Sequence, residues 1–76
     1  ANIYPAEVEA ALMSDPDIVD CAVFGVPDAD LGQVVQAVVE LRRPPADPAF
    51  AAQAIAARLR GLIAANKIPR QIAFVD

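Results

Sequence analysis

Asn2-Ile3-Tyr4-Pro5-Ala6-Glu7-Val8-Glu9 reads as an extended lead-in that runs into an amphipathic helix. Pro5 fits the first helical turn, where its missing N–H would have no partner in any case. Val8, Ala11 and Leu12 repeat at helical spacing on one face, and Pro16 disfavours helical geometry at Asp15, so the helix ends there. Ile18 to Val26 follows, rich in β-branched and apolar residues, and leads into the turn-forming stretch Pro27-Asp28-Ala29-Asp30-Leu31-Gly32. Gln33 to Leu41 is a second strand with Val35, Ala37, Val39 and Leu41 on one face, and the two strands are expected to pair antiparallel. Arg42 to Ala46, with Pro44-Pro45, is a surface loop. Asp47 then caps a second helix with Pro48 at its first position, and Ile55, Leu59, Leu62 and Ile63 supply its buried stripe. Asn66-Lys67-Ile68-Pro69 breaks that helix, and Arg70 to Val75 makes a last strand. The expectation is an α+β fold, a single small domain over 1–76 of order α-β-β-α-β, with a three-stranded sheet packed by two helices.

Composition bounds the rest. A chain of 76 residues hides only about 60% of the surface that its unfolded form exposes. With 57% hydrophobic residues, such a domain leaves apolar surface uncovered, and self-association is expected where no larger partner covers it. The charged fraction of 21% excludes a disordered segment, and no apolar run approaches the roughly 18 residues that span a bilayer. Cys21 has no partner for an internal disulfide, and nothing at the N-terminus resembles a signal peptide, so a cytoplasmic setting is expected.

The net charge of −4 hides an asymmetry. Residues 1 to 41 carry eight acids and no base, whereas Arg42, Arg43, Arg58, Arg60, Lys67 and Arg70 all lie in the remainder. An anionic ligand is expected to meet the second half. Nucleic acid is not the expected partner, because the balance is acidic and no bases interleave with aromatics.

Local chemistry is sparse. Without histidine there is no Ser/His or Cys/His nucleophile and no imidazole metal ligand. Glu7 and Glu9 are two apart on a helix and do not face each other. Asp28 and Asp30 fall short of the ligand count of a calcium loop, and no metal site is expected. Cys21 lies among Ile18, Val19, Ala22 and Val23, where a free cysteine behaves as a small buried hydrophobe.

The octet N-I-Y-P-A-E-V-E resembles the opening of the C-terminal lid domain of the adenylate-forming (AMP-binding) enzymes, in particular the acyl-CoA synthetase branch. Further pieces follow in that family's order: Asp15-Pro16, Gly25-Val26-Pro27-Asp28 with Gly32, and Lys67-Ile68-Pro69-Arg70 running into Phe74-Val75-Asp76. The resemblance implies an ATP-dependent acid–CoA ligase, of the kind found in fatty acid metabolism, which forms an acyl-adenylate and then an acyl-CoA thioester. ATP, CoA and a carboxylic acid would be its substrates, with Mg in the full-length parent, and the domain's partner would be its own large N-terminal domain. By position, Lys67, Ile68, Pro69 and Arg70 become candidates for CoA binding, and Asn2 for a place near the pantetheine tunnel and the adenylate. Arg70 is the persuasive member, since a guanidinium bonds phosphate in bidentate fashion and Lys67 can add a second positive charge.

Some positions depart from the family pattern. Asn66 stands where an aromatic is common, Leu31 where some relatives place a base, and Gln33 where glutamate is frequent. The family's adenylation lysine belongs to a glycine-lysine motif downstream of the Phe74-Val75-Asp76 match, and its hinge lies upstream of Asn2. On this reading the 76 residues alone carry no catalytic residue, bind no cofactor and are inactive. Two alternatives stay open: the corresponding subdomain of a nonribosomal peptide adenylation domain, whose opening is typically E-L-G-E-I-E-like, and a non-enzymatic α/β interaction module.

Overall fold

The computed structural model describes residues 4–75. The elements are α1 (Pro5–Met13), β1 (Ile18–Asp28), β2 (Gly32–Leu41), α2 (Pro48–Leu59), one 3-10 turn (Ala65–Lys67) and β3 (Gln71–Val75). The α-β-β-α-β order is therefore present, in a three-stranded sheet with β2 at its centre. β1 and β2 form the expected antiparallel hairpin, whereas β3 runs parallel to β2. No tight turn can join parallel neighbours, so the chain crosses over through α2.

Alternation along β2 sets the core. Val35, Ala37 and Val39 point to one face and meet Val8 and Leu12 of α1, Ile18 and Val23 of β1, and Ile55 and Leu59 of α2. Ile68, Ile72 and Phe74 close over the β3 side. A fully buried valine or leucine contributes about 1.5–3 kcal/mol over its exposed state, so this cluster holds the two helices on the sheet. Both helices occupy that one face. The opposite face carries Ala22, Phe24, Gln36, Val38, Gln71, Ala73 and Val75 in register, with Phe24 and Val75 exposed at 42% and 51%.

Capping fixes where the helices begin. The Asp47 carboxylate accepts the Phe50 amide at 3.1 Å, as its sequence position predicts, and Pro48 follows at the first helical position. α1 has no side-chain cap; Pro5 and the acidic Glu7 in the first turn favour its N-terminus instead. Arg58 ties the helices together, donating to the Ser14 hydroxyl at 3.1 Å and carbonyl at 3.2 Å. Arg42 Nε donates to the Pro16 carbonyl at 2.7 Å.

Several details differ from the sequence reading, among them α1 stopping at Met13 and not at Asp15, and β2 starting at Gly32 and not at Gln33. β1 continues through Pro27 and Asp28, which had read as turn. β1 is an edge strand, and a proline there forfeits no ladder bond on its outer side. Only Ala29 to Leu31 then form the loop, closed by Gly32 at φ 82, a left-handed value that glycine adopts without strain. The hairpin register also slips between Ile18 and Asp20, leaving Val19 exposed. α2 ends at Leu59, so Leu62 leaves the helical stripe and is 53% exposed, while Ile63 still packs on the core. Finally, β3 starts at Gln71 instead of Arg70, after a 3-10 turn with no counterpart in the sequence reading.

Candidate functional site

Where α2 ends, the chain turns through Ala65–Lys67 and enters β3 beside the start of β2, and a cleft of about 340 Å³ opens there. Its walls include Tyr4 and Val8 from the α1 end, Leu31 and Gln33 from the hairpin, and Arg60, Asn66, Lys67, Ile68 and Arg70 from the crossover. Arg60 and Arg70 also line a second groove along α2, with Gln53, Ala57, Pro69 and Ile72.

Three of the four residues in the Lys67-Ile68-Pro69-Arg70 motif thus share one cleft, each in a different way. Ile68 packs its side chain against the core. Arg70 is exposed, and its amide donates to the Val35 carbonyl at 2.8 Å, which fixes its backbone against β2. Lys67 Nζ donates to Glu7 Oε1 at 2.7 Å and lies 5.7 Å from the Tyr4 ring centroid, so its charge is already engaged. Pro69 is buried and faces the second groove. Asn2 lies outside the described residues.

The bases of the second half differ in what holds them. Arg42 and Arg58 are held by backbone and hydroxyl oxygens, and Lys67 by a carboxylate. Among the described residues, Arg60 and Arg70 make no side-chain ion pair or hydrogen bond, and both face the cleft. The sequence reading did not single out Arg60. Its place depends on α2 stopping at Leu59, which the Leu62 and Ile63 periodicity obscured. Of the stretch that contains Tyr4 only Asn2 was singled out, although the aromatic ring of Tyr4 lines the same cleft as Asn66.

The hairpin tip adds one acid. Asp28 Oδ1 accepts the amides of Asp30 and Leu31, both at 2.9 Å. Chiefly the Leu31 bond, then the Asp30 bond, and to a smaller degree the Arg70 charge hold its carboxyl below the usual range. Asp28 is therefore an ionised turn-former. Burial first, then the nearby charges of Glu9 and Asp20, push the Cys21 thiol up and keep it protonated at neutral pH. The cleft lining thus combines two arginines with apolar residues and an aromatic ring, a composition suited to an anion. Among the described residues there is no group of three acidic or cysteine side chains placed to hold a metal ion.

The model of the AMP-binding enzyme C-terminal domain family matches residues 7–76. The medium/long-chain-fatty-acid–CoA/3-oxocholest-4-en-26-oate–CoA ligase of Mycobacterium tuberculosis is 47% identical over 75 residues, covering 99% of this chain and 13% of its own length. The 2-succinylbenzoate–CoA ligase of Geobacillus kaustophilus is also 47% identical over 75 residues, with 99% and 15% covered. Among solved structures, the ATP-bound RpMatB-BxBclM chimera B1 superposes with a TM-score of 0.89 at 38% identity, covering 100% of this chain and 15% of that one.

Proposed function

The chain belongs to the family of AMP-binding enzyme C-terminal domains, and from that premise we propose that it is the lid of an ATP-dependent acid–CoA ligase and offers the cleft at Arg70 to the phosphates of CoA. The chain spans 13–15% of the ligases it matches, which supports a large N-terminal domain as its partner in one polypeptide. In the reaction proposed for the whole protein, a substrate carboxylate displaces pyrophosphate from the α-phosphate of ATP, and the CoA sulfur then displaces AMP from the acyl carbon. The described residues include no histidine, and the Cys21 thiol is held protonated. Their contribution is to bind and orient. Any Mg²⁺ serving ATP would be bound through the ATP phosphates, with the large domain as its proposed holder. The relatives named as CoA ligases favour CoA over a carrier-protein thiol as the acceptor, and family membership disfavours a free-standing interaction module. Among the described residues no helix is long and apolar enough to cross a membrane, and the cytoplasmic setting remains part of this reading. The sheet face bearing Phe24 and Val75 would meet the large domain. Exposed in the isolated chain, it would drive association that Phe24→Lys abolishes in sedimentation; a monomer at all concentrations would refute this.

The observation that carries the reading is an exposed Arg70 that lines the cleft, on a backbone fixed by the Val35 carbonyl. A charge-assisted hydrogen bond contributes about 1.5–3 kcal/mol. In the full-length ligase, Arg70→Ala should therefore raise the Michaelis constant for CoA by roughly ten- to a hundred-fold. Acid-dependent pyrophosphate exchange, which reports adenylation, should change far less. Equal damage to both half-reactions would refute the assignment.

A further inference from the structure

Lys67 and Glu7 are 60 residues apart in sequence and 2.7 Å apart in space. Glu7 sits in the first turn of α1, and its amide bonds back to the Tyr4 carbonyl at 3.1 Å, which ties Tyr4 to that turn. Lys67 closes the 3-10 turn that leads into Ile68, Pro69 and Arg70. Before Arg70, the backbone hydrogen bonds of this turn are local, from Lys67 to Ala64 and from Ile68 to Ala65. Among the described residues, the Lys67 side chain is therefore the polar link that joins the turn to α1. Its ammonium lies 2.7 Å from the Glu7 carboxylate and 5.7 Å from the centroid of the Tyr4 ring, which lines the same cleft.

We propose that Glu7, Lys67 and Tyr4 form a latch that sets the width of the cleft, and that Lys67 is a positioning residue for the CoA nucleotide and not one of its phosphate ligands. This rests on the reading of the cleft as the CoA site, and it reassigns one member of the Lys67-Ile68-Pro69-Arg70 motif. A lysine already paired with a carboxylate brings little net charge to an incoming phosphate. Arg60 and Arg70, unpaired among the described residues, remain the cations that face the cleft. The pair is partly exposed, at 31% for Lys67 and 45% for Glu7, so salt screens it and its effect is modest.

The two roles for Lys67 predict opposite results at Glu7. If Lys67 positions the wall, Glu7→Gln and Lys67→Met each raise the Michaelis constant for CoA by about two- to ten-fold. The double variant is then no worse than either single, and the exchange Glu7→Lys with Lys67→Glu restores the constant to within about two-fold of wild type. If Lys67 instead contacts phosphate, Glu7→Gln frees it and leaves the constant unchanged or lower, while the exchange fails to restore it. That pattern overturns the proposal. All variants are made in the full-length ligase, with thermal melts to show that each folds. Arg70→Ala runs beside them. A raised constant for Arg70→Ala with none for the latch variants overturns the latch alone, and no change in any variant overturns the CoA reading of the cleft and the latch with it.

Discussion

The amide of Arg70 donates to the carbonyl of Val35 at 2.8 Å, one residue before β3 begins. The bond extends the parallel ladder that pairs Gln36 with Gln71, and it separates what holds Arg70 in place from what its side chain does. Backbone and guanidinium can therefore be tested independently.

Arg70→Ala keeps the amide and removes an exposed side chain, so stability should stay within about 0.5 kcal/mol of wild type. Arg70→Pro removes the donor and leaves the carbonyl of buried Val35 without this partner, at a cost of about 1–3 kcal/mol. For a domain of this size, that lowers the melting temperature by roughly 5–20 °C. Equal melting temperatures for the two variants would show that the bond holds nothing.

Leu59 and Leu62 make a second contrast. Leu59 is 1% exposed within the core, and Leu62 is 53% exposed beyond the helix end. Leu59→Ala should cost about 2–5 kcal/mol, a large share of the stability of so small a domain. Leu62→Ala should stay within about 0.5 kcal/mol. Urea unfolding of both variants checks the pair, and a similar loss at Leu62 would place it back in the packed stripe.

That contrast also shows what was legible in the sequence. The start of α2 could be read because capping is local: Asp47 and Pro48 carry their meaning within three residues. Its end could not, since Leu59, Leu62 and Ile63 fit helical spacing equally well in the chain and under the helix. Gly61, one residue past the cap at Arg60, does not take the left-handed φ of a glycine cap, so no local signal of that kind marked the stop. Pro27 misled in the opposite direction, because whether a proline ends a strand depends on whether that strand lies at an edge. For the candidate site, the Lys67-Ile68-Pro69-Arg70 motif and the cleft fall on the same segment. The Lys67–Glu7 pair and the place of Arg60 in the cleft arise only from tertiary packing, which no local pattern encodes.

Cys21 should react slowly. Its thiol is pushed up by burial and by the charges of Glu9 and Asp20, so little thiolate is present at neutral pH. Alkylation by iodoacetamide should be slower than for a cysteine in a short unstructured peptide, and should accelerate in denaturant. A folded protein that alkylates at the peptide rate would contradict both the burial and the protonation state.

Asp28 should give the domain a specific loss of stability in acid. Its folded-state carboxyl lies below the ordinary value, mainly because the Leu31 and Asp30 amides bond the charged form. Above about pH 5 both folded and unfolded states are ionised, so the contribution is complete and independent of pH. As pH falls below about 4, the unfolded chain takes up the proton first, and the contribution shrinks until the folded state is protonated as well. Asp28→Asn retains a side-chain oxygen that can accept the same two amides, but carries no charge at any pH. The difference in urea midpoint between wild type and Asp28→Asn should therefore be constant between about pH 7 and 5 and should close as pH falls toward 3. Comparing the two proteins cancels the titration of the other carboxylates. A difference that persists unchanged through this range would show that the turn draws no stability from the charge on Asp28.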